Sequence, residues 1–131
     1  MKILNFLVIC FLLAGCATAY QPEAWSGGFQ DEKLESDTYE IWFGGNANTK
    51  KERVMNFALL RSAELTLEEG YDYFTILEDK TDSKSTDVGD WYGHTNIIRC
   101  FREKPADMQI TIYDAEQVRD SLRLKYNLNR N

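Results

Sequence analysis

The chain has 131 residues, of which 44% are hydrophobic, 13% aromatic and 27% charged, with a formal net charge of −6. That length favours one domain, and that composition supports a single packed core rather than a disordered chain. The acidic balance leaves no basic patch of the kind a nucleic acid requires, so nucleic acid is excluded as an expected partner.

Lys2 is followed by an apolar run from Ile3 to Leu13, broken only by Asn5. The run is too short to span a bilayer, which takes about 20 residues in a helix. A charged start and a short apolar run make a secretory signal peptide. The run ends in Leu13-Ala14-Gly15-Cys16, which resembles the bacterial lipobox. The resemblance implies cleavage between Gly15 and Cys16, a diacylated Cys16 thiol and an acylated new amino terminus. The competing reading is a plain signal peptide cut at Ala17-Thr18-Ala19, with Cys16 incidental. Acyl chains contribute about 0.8 kcal/mol per buried methylene, so a triacylated terminus holds a protein on a membrane without a spanning helix. By similarity to the sorting rule of enteric bacteria, Ala17 in place of Asp implies release to the outer membrane, facing the periplasm. Loss of Lys2 moves the formal charge from −6 to −7, so attraction to anionic headgroups gives no help. Cys10 leaves with the signal peptide and Cys16 is the anchor. Cys100 alone remains in the folded part, where it is expected to be buried and inert.

Residues 16–37 read as lipid anchor and tether. The chain is free to about Glu23, and then a turn at Trp25, Gly27-Gly28 and Phe29 docks its rings on the domain, with Leu34 a further docking point. A single globular domain is expected over 38–131. Thr38 to Gly44 alternates Tyr39, Ile41 and Phe43 against Glu40 and Trp42, which predicts a strand. Gly44 to Asn48 is a turn. Thr49 and Glu52 form a capping box for a helix that runs to about Glu69 and is stopped by Gly70. Its apolar face is broad; Lys50, Arg53, Arg61, Glu64 and Glu68 form a narrower polar stripe. Tyr71 to Leu77 is a strand, Glu78 to Gly93 a polar loop, His94 to Arg102 a strand and Met108 to Tyr113 a short strand. Asp114 and Gln117 form a second capping box, and its helix aligns Ala115, Val118, Leu122 and Tyr126. The order β-α-β-β-β-α predicts a small α+β two-layer sandwich, with the sheet on one side and the helices mainly on the other.

Several segments together resemble a family of small proteobacterial envelope lipoproteins without an assigned activity. They are Gly27-Gly28-Phe29; Tyr39 to Asn46 running into the helix; Leu60-Arg61-Ser62-Ala63-Glu64-Leu65-Thr66-Leu67 through Gly70-Tyr71-Asp72-Tyr73-Phe74; and Tyr113-Asp114-Ala115. The resemblance covers roughly residues 27–126. It implies location and fold and brings no catalytic or binding residue with it.

Candidate chemistry is sparse. Arg61 and Glu64 read as a structural ion pair at the rim of a buried helix. The sharper reading, a catalytic acid beside a positive tuner, has no nucleophile, second carboxylate or histidine placed with it. His94 is the one histidine, and with only the distant Cys100 it does not make a metal site, so a strand-entry role is expected. Asp79, Asp82, Asp87 and Asp90 do not match the spacing of a calcium-binding EF-hand loop and read as a solvated segment. Trp91-Tyr92 is the candidate interaction surface, the plainer reading being rings packed over the sheet edge. No phosphate loop, Ser/His/Asp order or Cys/His pair is present, so no cofactor and no enzymatic reaction are expected. The leading expectation is a non-enzymatic lipoprotein attached to the outer membrane through Cys16 and contacting another envelope protein. The alternative is a module that binds a small ligand or a metal ion through Asp79 to Tyr92.

Overall fold

The computed structural model describes residues 16–106 and 109–128. The expected signal peptide over residues 1–15, with Gly15 at its expected cleavage point, and the expected strand start at Met108 lie outside the described residues. The elements are β1 (Gly28–Glu35), β2 (Thr38–Gly44), α1 (Lys51–Glu68), β3 (Tyr73–Thr86), β4 (Gly89–Phe101), β5 (Tyr113–Asp114) and α2 (Ala115–Lys125). The strands form one antiparallel sheet in the order β1-β2-β4-β3-β5. The fold is α+β, and the expected order β-α-β-β-β-α runs from β2 to α2, with β1 added ahead of it. α1 lies across β4, β2 and β3, while α2 packs on α1 and β5.

The sheet has one covered face because its strands alternate. Tyr39, Ile41 and Phe43 of β2 and Ile98 and Cys100 of β4 are buried, and they meet Val54, Phe57, Ala58, Ala63 and Leu65 of α1 in two adjoining clusters. Residues between them, Glu40, Trp42, Ile97 and Arg99, point to the other face, which neither α1 nor α2 covers. α1 ends as its glycine predicts. Gly70 takes φ +85°, its N–H donates to Leu67 O at 3.1 Å, and Tyr71 N–H donates to Thr66 O at 3.0 Å. This is the paired bonding of a Schellman stop.

Four expectations are corrected. The chain to Glu23 is not a free tether, since Thr18 is buried and bonded to Thr49, and 28–35, expected only to dock, form β1 paired residue by residue with β2. Asp31, Glu32, Lys33 and Glu35 hide that strand from a hydrophobic pattern, as charges commonly do on an edge strand. The Thr49 capping box does not form. Lys50 is the N-cap without a side-chain bond, because the Thr49 hydroxyl is engaged by Thr18 and Asn46. The loop expected over 78–93 is the far arm of a β3–β4 hairpin that turns at Asp87 and Val88. Finally, β5 is two residues long rather than six. The second capping box is half present: the Asp114 carboxylate accepts from Gln117 N–H at 3.1 Å.

A polar chain crosses the covered face. Asn96 Nδ2 donates to Ser62 Oγ at 3.2 Å, which leaves Asn96 Oδ1 to accept from His94 Nε2–H at 3.0 Å. His94 Nδ1 then accepts from the Thr81 hydroxyl at 2.7 Å. The Ser62 hydroxyl donates in turn to Ala58 O at 2.8 Å. His94, Asn96 and Ser62 are buried, so the chain satisfies groups that would otherwise be costly.

Candidate functional site

Three tryptophans define the open face. Trp25 precedes β1, Trp42 lies in β2 and Trp91 in β4, and all three line one trough of about 310 Å³. Each is followed two residues later by a glycine, Gly27, Gly44 and Gly93, and these glycines line the same trough. In a strand, positions i and i+2 share a face, so the spacing sets bare backbone beside the Trp42 and Trp91 rings, while Trp25 sits in the turn before β1. Gly44 and Gly93 are direct partners in the β2–β4 ladder. A Cβ on Gly44 would lie 2.1 Å from the Trp42 ring, and one on Gly93 would lie 3.0 Å from Trp42 Nε1. The indole therefore lies flat over a floor that only glycine leaves clear. Glu23, Asp82 and Lys84 supply charged groups at the walls.

Trp91 and Tyr92, expected to act together, face opposite sides. Trp91 is 38% exposed on the trough, whereas Tyr92 packs towards the covered-face cluster around Phe43 and Val54. Trp25, expected to dock its ring on the domain, is instead 96% exposed, and Trp42 carries no site role in the sequence reading. The repeated Trp-x-Gly spacing was the available signal.

The segment from Cys16 to Tyr20 is clasped. Cys16 is exposed and its carbonyl accepts from Asn46 Nδ2 at 3.0 Å. Thr18 is 1% exposed. Its N–H donates to Thr49 Oγ1 at 2.7 Å, its hydroxyl donates to Ser26 O at 2.8 Å and accepts from Asn46 N–H at 2.7 Å, and its carbonyl accepts from Arg53 Nε at 3.2 Å. Tyr20 inserts its ring among Phe29, Phe43 and Phe57 at centroid distances of 5.2, 6.4 and 5.3 Å. Its hydroxyl donates to Glu64 Oε2 at 2.6 Å. Burial, and then the bond to the Glu64 carboxylate, push the Tyr20 phenol far above the ordinary tyrosine range.

Arg61 and Glu64 do not pair as expected. Arg61 binds Asp31 of β1 and Glu68 two turns further along α1, while Glu64 accepts from Arg123 of α2 and from Tyr20. The i,i+3 spacing is outcompeted by a bidentate carboxylate on the neighbouring strand. Burial works against the Arg61 charge, but the Asp31 and Glu68 hydrogen bonds outweigh it and hold the guanidinium above its usual range. Arg61 also stacks 4.5 Å over the Phe29 ring. The pair of ion clusters therefore fastens β1, α1 and α2 together.

The remaining candidates fall into structural places. Cys100 is buried with its sulfur 3.4 Å from Thr66 Oγ1, and burial pushes its thiol up despite that bond. Asp79, Asp82, Asp87 and Asp90 are strung along a ladder and its turn, where alternation sends Asp79 and Asp82 to opposite faces. Among the described residues, no three His, Cys, Asp or Glu side chains converge as metal ligands. Among the same residues, no buried side-chain nitrogen or oxygen lacks a hydrogen-bond partner. No helix of the described residues is long and apolar enough to cross a membrane. No protein-family model, curated protein or solved structure matches this chain.

Proposed function

We propose that the protein is a lipid-anchored envelope lipoprotein, held at the outer membrane by acyl chains on Cys16 and facing the periplasm. Its domain is a non-enzymatic module that binds another envelope protein through the open sheet face that runs from Trp42 on the trough floor to Ile97. The lipobox and the resemblance to small envelope lipoproteins support the location. The observation that carries the binding role is the convergence of three Trp-x-Gly segments on one open, mainly apolar trough. Exposed aromatics that share a concave patch are the residues enriched at the centres of protein interfaces. The polar side chains elsewhere are spent on the fold, as the Arg61, Glu64 and His94 networks are.

Crosslinked pull-down from envelopes tests the module. A partner should be enriched over an unrelated lipoprotein and lost in Ile97→Lys, a substitution on the open face whose ladder partners, Glu40 and Glu78, tolerate a cation. Absence of any enriched partner, or equal capture by a folded variant, removes the protein-partner reading. Cys16→Ser tests the anchor: acyl labelling should vanish and the precursor should stay uncut, and normal processing would overturn it.

The concavity of the trough favours a second reading. Its volume sits at the small end of ligand sites, and Glu23, Asp82 and Lys84 offer polar contacts beside the indoles. A peptidoglycan fragment, with sugar rings that stack on indoles, fits that chemistry. Titration with a soluble muropeptide, followed by tryptophan fluorescence, separates the readings. A saturable change lost in Gly93→Val, which fills the floor, supports the ligand.

A further inference from the structure

We infer that this lipoprotein has no functional tether, and that its acyl anchor sets the domain flush on the bilayer with the Trp25, Trp91 and Val88 end in the lipid headgroup layer. The inference rests on acylation of Cys16. Thr18 is buried in four hydrogen bonds, so only Cys16 and Ala17 separate the acylated sulfur from the folded body. Two residues of extended chain reach at most about 7 Å. Even Cys16 is held through its carbonyl by Asn46. Glycerol-linked acyl chains that enter the bilayer at that point bring the body of the domain down with them.

The surface beside that point suits the position. A cavity of about 490 Å³ is lined by Cys16, Ala17, Asn46, Ala47, Trp25 and Trp91 among others, so two tryptophans stand at the exit of the anchor. Trp25 is 96% exposed. The β3–β4 turn belongs to the same end, because Gly89 lies against Ala47, where an added Cβ would be 3.1 Å from Ala47 O. That turn presents Val88, which is 77% exposed. Indole rings favour the membrane–water interface, where an apolar ring and a donor N–H are both satisfied. Glu23, Asp87 and Asp90 lie close by in the chain, so the contact is apolar and is weakened, not strengthened, by anionic lipid.

The test uses the acylated protein in phosphatidylethanolamine-rich vesicles containing brominated lipid. The difference between wild type and Trp25→Phe isolates the Trp25 signal, and so exposed a ring is replaced without disturbing the fold. That component should be quenched by brominated lipid and shielded from aqueous iodide. A flexible eight-residue Gly/Ser insertion between Ala17 and Thr18 adds about 16 Å of reach. It should leave acyl labelling and vesicle binding intact, lower brominated-lipid quenching severalfold and restore iodide access. If wild type is acylated and vesicle-bound while Trp25 is as iodide-accessible as in the insertion variant, flush docking is overturned and anchoring stands. If wild type takes no acyl label, the anchoring reading itself falls.

Discussion

On the helix side of the sheet, Tyr20, Phe43, Phe57 and Tyr126 close on one another, with Phe57 5.2 Å from Phe43 and 4.9 Å from Tyr126. On the opposite side the three tryptophans line a trough and fill nothing. The difference is one of what lies beneath the rings. On the covered face each ring meets another ring edge-on, which stabilises an aromatic pair beyond its burial. On the open face each tryptophan has a glycine two residues on, and Trp42 lies over backbone while Trp25 stands in solvent. Rings of the first kind make the fold, and rings of the second kind are available to something else. The contrast has measurable consequences.

The largest effect is expected at Phe57, which is fully buried and sits between Phe43, Tyr20 and Tyr126. Phe57→Ala should cost about 3–5 kcal/mol in urea denaturation, through lost burial and the cavity left behind. Tyr20 comes next, because it joins the clasped N-terminal segment to the same cluster. Tyr20→Phe keeps the ring and removes the bond to Glu64, and should cost about 2 kcal/mol, as hydrogen bonds to charged groups do. The sign of its pH dependence follows from the raised phenol pKa. The unfolded chain ionises this tyrosine near pH 10, while the folded chain keeps the proton. The stability it contributes is therefore complete below pH ~10 and is lost as pH rises beyond it. Alkaline denaturation of wild type and Tyr20→Phe should converge above that point. A constant difference across it would mean that the Glu64 bond is not what stabilises the clasp.

Legibility in the sequence divides along the same line. β2 and α1 were readable because each has a covered face and an uncovered one, so Tyr39, Ile41 and Phe43 alternate and Val54 to Thr66 recur at helical spacing. The outer β3–β4 arm has water on both sides over much of its length, so Asp79 to Ser85 carries no apolar stripe and looks like a loop. β1 is masked by its edge charges. The clasp was invisible for another reason: Thr18 and Tyr20 are recognised by Thr49 and Glu64, 31 and 44 residues away, and no local pattern announces such pairs. Arg61 and Glu64 read as partners of each other because a helix-only view contains neither Asp31 nor Arg123. The trough lay between these cases. Trp-x-Gly occurs three times in plain sight, yet only the β2–β4 register brings Gly44 beside Gly93.

Gly44→Ala probes the boundary between the two kinds of ring. Its methyl would fall 2.1 Å from the Trp42 ring, so the indole must move. Overpacking of this kind costs about 1–3 kcal/mol where neighbours are fixed, and the open side of Trp42 places the expected loss at the lower end. Tryptophan emission should shift to the red as the indole leaves its glycine floor. An unshifted spectrum would mean that Trp42 is not seated there.

The smallest effect on stability is expected at Trp25, and it is the most informative one. A ring that is 96% exposed contributes almost no burial to the fold. Trp25→Ala should change the urea-unfolding free energy by less than about 0.5 kcal/mol, the usual range for a surface site. The same substitution removes the ring at the Cys16 exit, so vesicle contact at that end should weaken while capture of the envelope partner is kept. A loss of stability as large as that of Tyr20→Phe would place Trp25 in the packed part of the molecule and erase the contrast between the two faces. Unchanged stability with lost capture would leave the contrast standing but extend the partner's surface from Ile97 to Trp25 and take that end off the bilayer.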